Sequence, residues 1–114
     1  MEFQTRKEED AVVVALGGRL DAVTSPDFEK RARELIDGGN AALVVDFERL
    51  DYISSAGLRA LLVIAKTLKA KDGRLRFANV KGGVRAVFDM SGFASMFQLD
   101  DSVAAALAAL VKSQ

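Results

Sequence analysis

Apolar and polar residues along the chain form two kinds of pattern, continuous apolar runs and helical stripes. "AVVVALGGRLD" at 11–21 and "AALVVDF" at 41–47 are almost wholly apolar until they end, as expected of strands that are covered on both faces. Two glycines interrupt the first run, so we predict a buried strand followed by a turn. "RLRFANV" at 74–80 begins with charged and apolar residues in alternation, which predicts a half-exposed strand. Segments 3–7 and 96–99 are weaker strand candidates.

Four other segments repeat their apolar residues every three to four positions, which predicts amphipathic helices. The first has Ser25 as a candidate N-cap, Pro26 at the first helical position and Asp27 at the positive end of the helix dipole. Gly92 is a candidate end for the third, because glycine readily takes the left-handed conformation that closes a helix. The four predicted helices are 24–39, 56–71, 82–92 and 100–113.

The order of these elements predicts an α/β fold. Two strands come first, and helices and strands then alternate to the end of the chain. Such alternation indicates crossover connections and a largely parallel sheet. The helices have one apolar face each, so each is expected to pack on the sheet with that face only. At 114 residues, with 50% apolar and 28% charged residues, we predict a single globular domain that spans 1–114.

The composition argues against most catalytic chemistry. There is no histidine and no cysteine, which removes Ser-His-Asp catalysis, thiol chemistry and most zinc sites. The sequence contains neither of the glycine-rich motifs typical of nucleotide sites, GxGxxG and GxxxxGK[ST]. We therefore expect no enzyme activity, no cofactor and no metal. Sixteen basic residues balance sixteen acidic ones, and no apolar run approaches a membrane span, so we expect no nucleic-acid or membrane partner.

Two aspartates stand where strands are predicted to end. Asp46 interrupts an apolar strand near its predicted C-terminal end, where open α/β sheets place their sites. It either bonds to loop amides or lies beside a regulated serine. Asp21 follows the other buried strand, and either stabilises the next turn or is exposed to a partner. The residues alone leave both alternatives open.

"YISSAGLRALL" at 52–62 places two serines and a glycine between a strand and an apolar helix. A serine at a helix N-terminus can simply cap the helix, which stabilises it by about 1 kcal/mol. A phosphoserine there would put negative charge where the helix dipole favours it. Gly57 would leave open backbone through which another protein could approach. Both interpretations of Ser54 and Ser55 stay open at this point.

Three stretches resemble one known family. They are "GRLD" at 18–21, "LVVDFERLDYISSAGLRALL" at 43–62 and "VRAVFDMSGF" at 84–93. Their combination resembles the STAS domain family and, within it, the bacterial anti-sigma factor antagonists. The resemblance implies a mixed, largely parallel sheet of four to five strands, with about four helices packed mainly on one face.

The resemblance also implies a function. In this family the unphosphorylated antagonist binds an anti-sigma factor, often a serine kinase, and so frees a sigma factor. Phosphorylation ends the binding, and a phosphoserine phosphatase restores it. The absence of cysteine suits a reducing cytoplasm, where we expect this protein to act. The family's phosphorylated serine stands two residues before the glycine of a Gly-Leu pair, which here is Ser55.

The residues around that serine are carried over as a partner-binding site. They are Asp21, Asp46, Ser54, Ala56 and Gly57. Many antagonists have Asp where this chain has Ser54, which adds a second hydroxyl. The alternative function is a STAS scaffold without a switch, or a subunit of a stress-sensing or lipid-transport complex.

Overall fold

The computed structural model describes residues 1–112. In chain order the elements are β1 (Glu2–Glu8), β2 (Ala11–Leu20), α1 (Ser25–Asp37), β3 (Ala42–Ile53), α2 (Ser55–Ala70), β4 (Arg74–Ala78), α3 (Gly82–Ser91), a 3-10 turn (Phe93–Ser95), β5 (Leu99–Asp100) and α4 (Val103–Lys112). The predicted order of strands and helices is confirmed. Position 113, the predicted end of the last helix, lies outside the described residues.

The five strands form one mixed sheet in the order β1-β2-β3-β4-β5. Strand β1 pairs with β2 in the antiparallel sense, while the three following pairs are parallel. Each parallel crossover therefore moves one strand further in the same direction. Because such crossovers share one hand, their helices fall on the same face of the sheet.

The core confirms this arrangement of helices. The larger apolar cluster joins α1, α2 and α3 to one face of the sheet through residues such as Phe28, Leu61 and Phe88. The last helix, α4, follows the final strand and covers the opposite face, where Ala106 and Leu110 pack against the sheet. Strands β2 and β3 are thus covered on both faces, which explains their continuous apolar runs.

Both central strands run further than the sequence predicted. Strand β2 passes through Gly17 and Gly18 and ends at Leu20, with register shifts on either side of the glycines. Gly18 has a φ of 82°, which explains the glycine at an irregularity of the strand. The predicted turn at these glycines is therefore wrong. Strand β3 continues to Ile53 instead of ending at position 47.

Two smaller boundaries also differ. Helix α1 begins at Ser25 itself, so the predicted Ser25 cap is wrong and Thr24 occupies the N-cap position without a capping side-chain bond. Strand β5 is Leu99–Asp100, later and shorter than the predicted 96–99, because the 3-10 turn and the bend after it take up the preceding residues.

Candidate functional site

The C-terminal ends of β2 and β3 position the two serines at 54 and 55. Leu20 is paired with Ile53, and the Ser54 amide donates to the Leu20 carbonyl at 3.0 Å. The chain leaves both strands at this point, since Asp21 follows Leu20 and Ser54 follows Ile53. The loop before α1 and the start of α2 are therefore neighbours, as the sequence predicted for Asp21 and the serines.

Ser54 is the N-cap of α2. Its backbone is extended (φ −102°, ψ 176°), and its Oγ accepts a hydrogen bond from the Gly57 amide at 3.3 Å. Its carbonyl accepts from the Leu58 amide at 3.0 Å, which closes the first turn. The side chain is half-buried, and its oxygen is engaged in the hydrogen bond that caps the helix. The capping alternative therefore holds for Ser54.

Ser55 has a different position. It is the first residue of α2 and it is exposed. Within residues 1–112 its hydroxyl has no hydrogen-bond partner, and no acidic residue stands in the first turn of the helix. The hydroxyl is free to be modified, and the helix terminus next to it lacks the negative charge that its dipole favours.

Gly57 is buried, which overturns the prediction of open backbone around it. A Cβ at this position would lie 2.5 Å from the Leu20 carbonyl oxygen and 2.8 Å from Ile53 Cγ1. The space is filled by the ends of β2 and β3, so another protein cannot approach there. The glycine instead lets α2 begin directly against the sheet. Ala56, beside it, is half-buried.

Asp21 holds the loop between β2 and α1. Its carboxylate accepts hydrogen bonds from the amides of Val23 at 3.0 Å and Thr24 at 3.1 Å, and Arg19 lies 3.5 Å away. The pKa of Asp21 lies below its ordinary value, chiefly because the Thr24 amide donates to the charged form. Asp21 is thus a loop-stabilising residue with 23% of its side chain exposed. The loop it shapes presents Val23 to solvent at 86% exposure.

Asp46 is not at the strand end, contrary to the prediction. It lies in the middle of β3, opposite Ala15 and Ala78, and it accepts from the Glu48 amide at 3.0 Å and Asn79 Nδ2 at 2.9 Å. Ile53 is seven positions further along the strand, a distance of roughly 20 Å. The structure therefore does not bring Asp46 next to Ser55. Its carboxylate instead holds the Asn79 side chain, directly after the end of β4.

The comparisons with known proteins identify the family. The model of the STAS domain matches residues 2–106. The chain belongs to the STAS domain family. BtrV of Bordetella bronchiseptica, which carries the name of an anti-sigma factor antagonist, is 38% identical over 96% of this chain and 94% of its own.

Solved structures show the same STAS fold. The unphosphorylated form of SpoIIAA, an anti-sigma factor antagonist, has a TM-score of 0.74 at 23% identity and covers 99% of this chain and 100% of its own. The phosphorylated form of SpoIIAA, from Bacillus, gives 0.70 at 24% identity over the same shares of the two chains. An anti-sigma factor antagonist of Mycobacterium paratuberculosis gives 0.82 at 23% identity over 95% of this chain and 92% of its own.

The sequence did not single out three exposed side chains on the strand ends and the loop next to the start of α2 in this STAS domain. Tyr52, 40% exposed, stands at the end of β3, and the Arg19 guanidinium stacks over its ring at 4.1 Å. Val23 projects from the neighbouring loop. Together with Asp21 they form a surface with an apolar side chain, an aromatic ring and charges of both signs. The position of Tyr52 directly before "ISS" was the available signal.

Within residues 1–112, the STAS domain also contains a cavity away from this surface. A cavity of about 190 Å³ lies between the β1–β2 turn and α4, lined by residues that include Asp10, Arg74 and Leu107. It faces the side of the sheet opposite to α2. Across residues 1–112, no group of three or more acidic side chains is placed to hold a metal ion, and no helix is long and apolar enough to cross a membrane.

Proposed function

We propose that this STAS domain is an anti-sigma factor antagonist that is switched at Ser55. The unphosphorylated form binds an anti-sigma factor, which is itself a serine kinase, and so frees a sigma factor. The kinase phosphorylates Ser55 and ends the interaction, and a phosphoserine phosphatase restores it. The similarity to BtrV along almost the whole chain supports the antagonist role, and the two forms of SpoIIAA support the switch.

The proposal rests on the different environments of the two serine hydroxyls. Ser54 Oγ accepts from the Gly57 amide and is committed to the helix, whereas Ser55 is exposed and unbonded within the described residues. A kinase must reach its hydroxyl with a phosphate donor and a catalytic base. Ser55 offers that access without loss of a cap, while modification of Ser54 would disrupt the first turn.

The phosphate acts on binding and leaves the fold intact. A phosphoserine at the first position of a helix adds nearly two negative charges where the dipole favours them. We place the partner on Ser55 and on the neighbouring surface formed by Arg19, Asp21, Val23 and Tyr52. A phosphate on this surface adds bulk that the partner must accommodate. Binding would also remove water from the phosphate charge or bring it close to acidic groups of the partner, and both weaken the complex. Each ~1.4 kcal/mol so lost weakens affinity about tenfold.

The other site residues have unequal parts in this proposal. Ser54 and Gly57 position the helix, Ala56 is half-buried beside Ser55, and Asp21 shapes the loop that carries Val23. The adenine nucleotide belongs to the kinase, and the domain itself catalyses nothing. We place the exchange of partners in the cytoplasm, where sigma factors act.

Mass spectrometry after incubation with the cognate kinase and ATP tests the switch. We expect one phosphate, on Ser55, in the wild type and in Ser54→Ala. Ser55→Ala should bind the anti-sigma factor constitutively and resist phosphorylation. Ser55→Asp should bind weakly yet keep the circular dichroism spectrum of the wild type.

Ser54→Ala is the matched control, since it removes a hydroxyl one residue away. It should lose about 1 kcal/mol of stability through the missing cap and keep its affinity. A phosphate on Ser54 alone would contradict the assignment. A protein that is phosphorylated on neither serine, yet is recovered in a large complex, would indicate the scaffold or subunit role instead.

A further inference from the structure

The exposed face of α2 carries one cation close to Ser55. Arg59 stands four residues after Ser55, and residues with this spacing lie on the same helix face with their Cβ atoms about 6 Å apart. Both side chains are exposed. No acidic residue occupies the first turn of the helix. Within the described part of the chain, Arg59 is in no ion pair or hydrogen bond.

The other charged groups on the segments that meet the start of α2 do not compete for this role. Lys30 of α1 is exposed and in no ion pair within residues 1–112, but it is an ammonium on the neighbouring helix and does not share a helix face with Ser55. The other basic groups are engaged, and the remaining group is acidic and would repel a phosphate. They are Arg19 paired with Asp21 at 3.5 Å, Arg31 paired with Asp27 at 3.1 Å, and Asp51 on the exposed end of β3. Arg59 is therefore the unengaged guanidinium at the spacing that a phosphate on Ser55 would need.

We propose that Arg59 is the intramolecular counter-ion of phosphorylated Ser55. The inference rests on the proposed function, because it specifies how the modified serine is held. Guanidinium groups form strong charge-assisted hydrogen bonds with phosphate oxygens. In the unphosphorylated domain Arg59 is open to the partner. In the phosphorylated domain it turns to the phosphate, so one modification adds an anion to the surface and withdraws a cation from it.

Titration of the phosphate by ³¹P NMR tests the pairing directly. Phosphoserine is incorporated at position 55 during translation of the full chain, so no kinase is needed. The second pKa of a phosphoserine is about 6 without a partner. A nearby cation favours the dianion and lowers it. Arg59→Gln should raise the pKa of the phosphate by about half a unit, the effect of a surface ion pair on a doubly charged group.

Lys66→Gln is the matched control. Lys66 is an exposed cation of the same helix, but eleven residues from Ser55, or about 16 Å along the axis. At physiological ionic strength that is about two Debye lengths, so its removal should shift the phosphate pKa by less than about a quarter as much. Arg59→Lys keeps the charge and should restore most of the shift, which a merely structural role of Arg59 would not predict.

Thermal unfolding gives a second readout. Phosphorylation should raise the melting temperature more in the wild type than in Arg59→Gln at pH 7.5, and the difference should shrink below about pH 5, where the phosphate keeps only one charge. The inference is wrong if Arg59→Gln moves the phosphate pKa no more than Lys66→Gln does. A kinase that ignores Ser55 would instead refute the proposed function, and the titration would still stand.

Discussion

Gly57→Ala tests whether the close contact between α2 and the two strand ends fixes the position of Ser55. The new Cβ would lie 2.5 Å from the Leu20 carbonyl oxygen and 2.8 Å from Ile53 Cγ1. The Ile53 side chain can turn away. The Leu20 carbonyl cannot move freely, because it is backbone and accepts the hydrogen bond from the Ser54 amide at 3.0 Å. The helix must therefore shift away from the strands.

The sign of the effect follows from two opposing contributions. Overpacking of a closed contact costs about 1–3 kcal/mol. Alanine is the better helix former by about 1 kcal/mol in a helix interior, and by less in the first turn. The net loss of stability should be about 1–2 kcal/mol, which lowers the melting temperature of a domain of this size by about 4–8 °C. Phosphorylation of Ser55 should slow as well, because the helix start is displaced.

Urea unfolding with a matched glycine variant measures this. Gly83→Ala is the control, since Gly83 lies in α3, no atom lies within 4 Å of its added Cβ, and its φ is not in the left-handed region. Gly83 also lies in a first helical turn, so this variant should be more stable than the wild type by up to about 0.5 kcal/mol. If Gly57→Ala proves as stable as Gly83→Ala, the contact with Leu20 is not restrictive and the argument for a fixed helix start fails.

Two further substitutions separate loop structure from partner binding. Asp21→Asn should destabilise the domain at neutral pH, because the folded-state pKa of Asp21 is lowered and its charged form is the stabilising one. That stabilisation is present above the ordinary pKa of 3.8 and is lost as the pH falls through the folded value, so acid unfolding curves of variant and wild type should converge at low pH. Asp46→Ala should lower stability by about 1 kcal/mol through its lost hydrogen bonds and leave affinity for the anti-sigma factor unchanged, as calorimetry would measure. A large loss of affinity in a normally stable Asp46→Ala protein would extend the binding surface to the middle of β3.

The sequence predicted element order well because the apolar pattern reports burial. The runs in β2 and β3 are continuous since helices cover both faces, and the stripe of α2 ends where the helix does. The family resemblance placed Asp21 among the residues around the serines, and the structure agrees because the parallel strands β2 and β3 end at one edge of the sheet.

The predictions of strand ends failed where the pairing between strands overrides the local pattern of apolar and polar residues. Residues 48–53 of β3 contain three charged residues and an exposed tyrosine, and only Leu50 and Ile53 are buried, so the segment is typical of a loop by composition. It is a strand because the tail of β2 pairs with it. That pairing, through glycines typical of a turn, depends on residues some thirty positions apart. The misplacement of Asp46 follows from this one error.

The role of Gly57 could not be predicted for a similar reason. A glycine in the first helical turn is compatible with open space or with a close contact, and the sequence is the same for both. Only the position of the Leu20 carbonyl decides between them. Arg59 is different, since its spacing from Ser55 is readable in the sequence once α2 is placed.

The rigid start of α2 explains why the proposed phosphate on Ser55 would act directly on the binding surface. The start of α2 is held by the Ser54 cap, by the amide bond from Ser54 to Leu20 and by the closed contact at Gly57. A charge added to a loosely held segment can be absorbed by local rearrangement, which leaves little change for a partner to detect. A charge added to this fixed point cannot move away from the surface that carries it. The same interactions that leave Ser55 no structural task therefore make it an effective place for a switch.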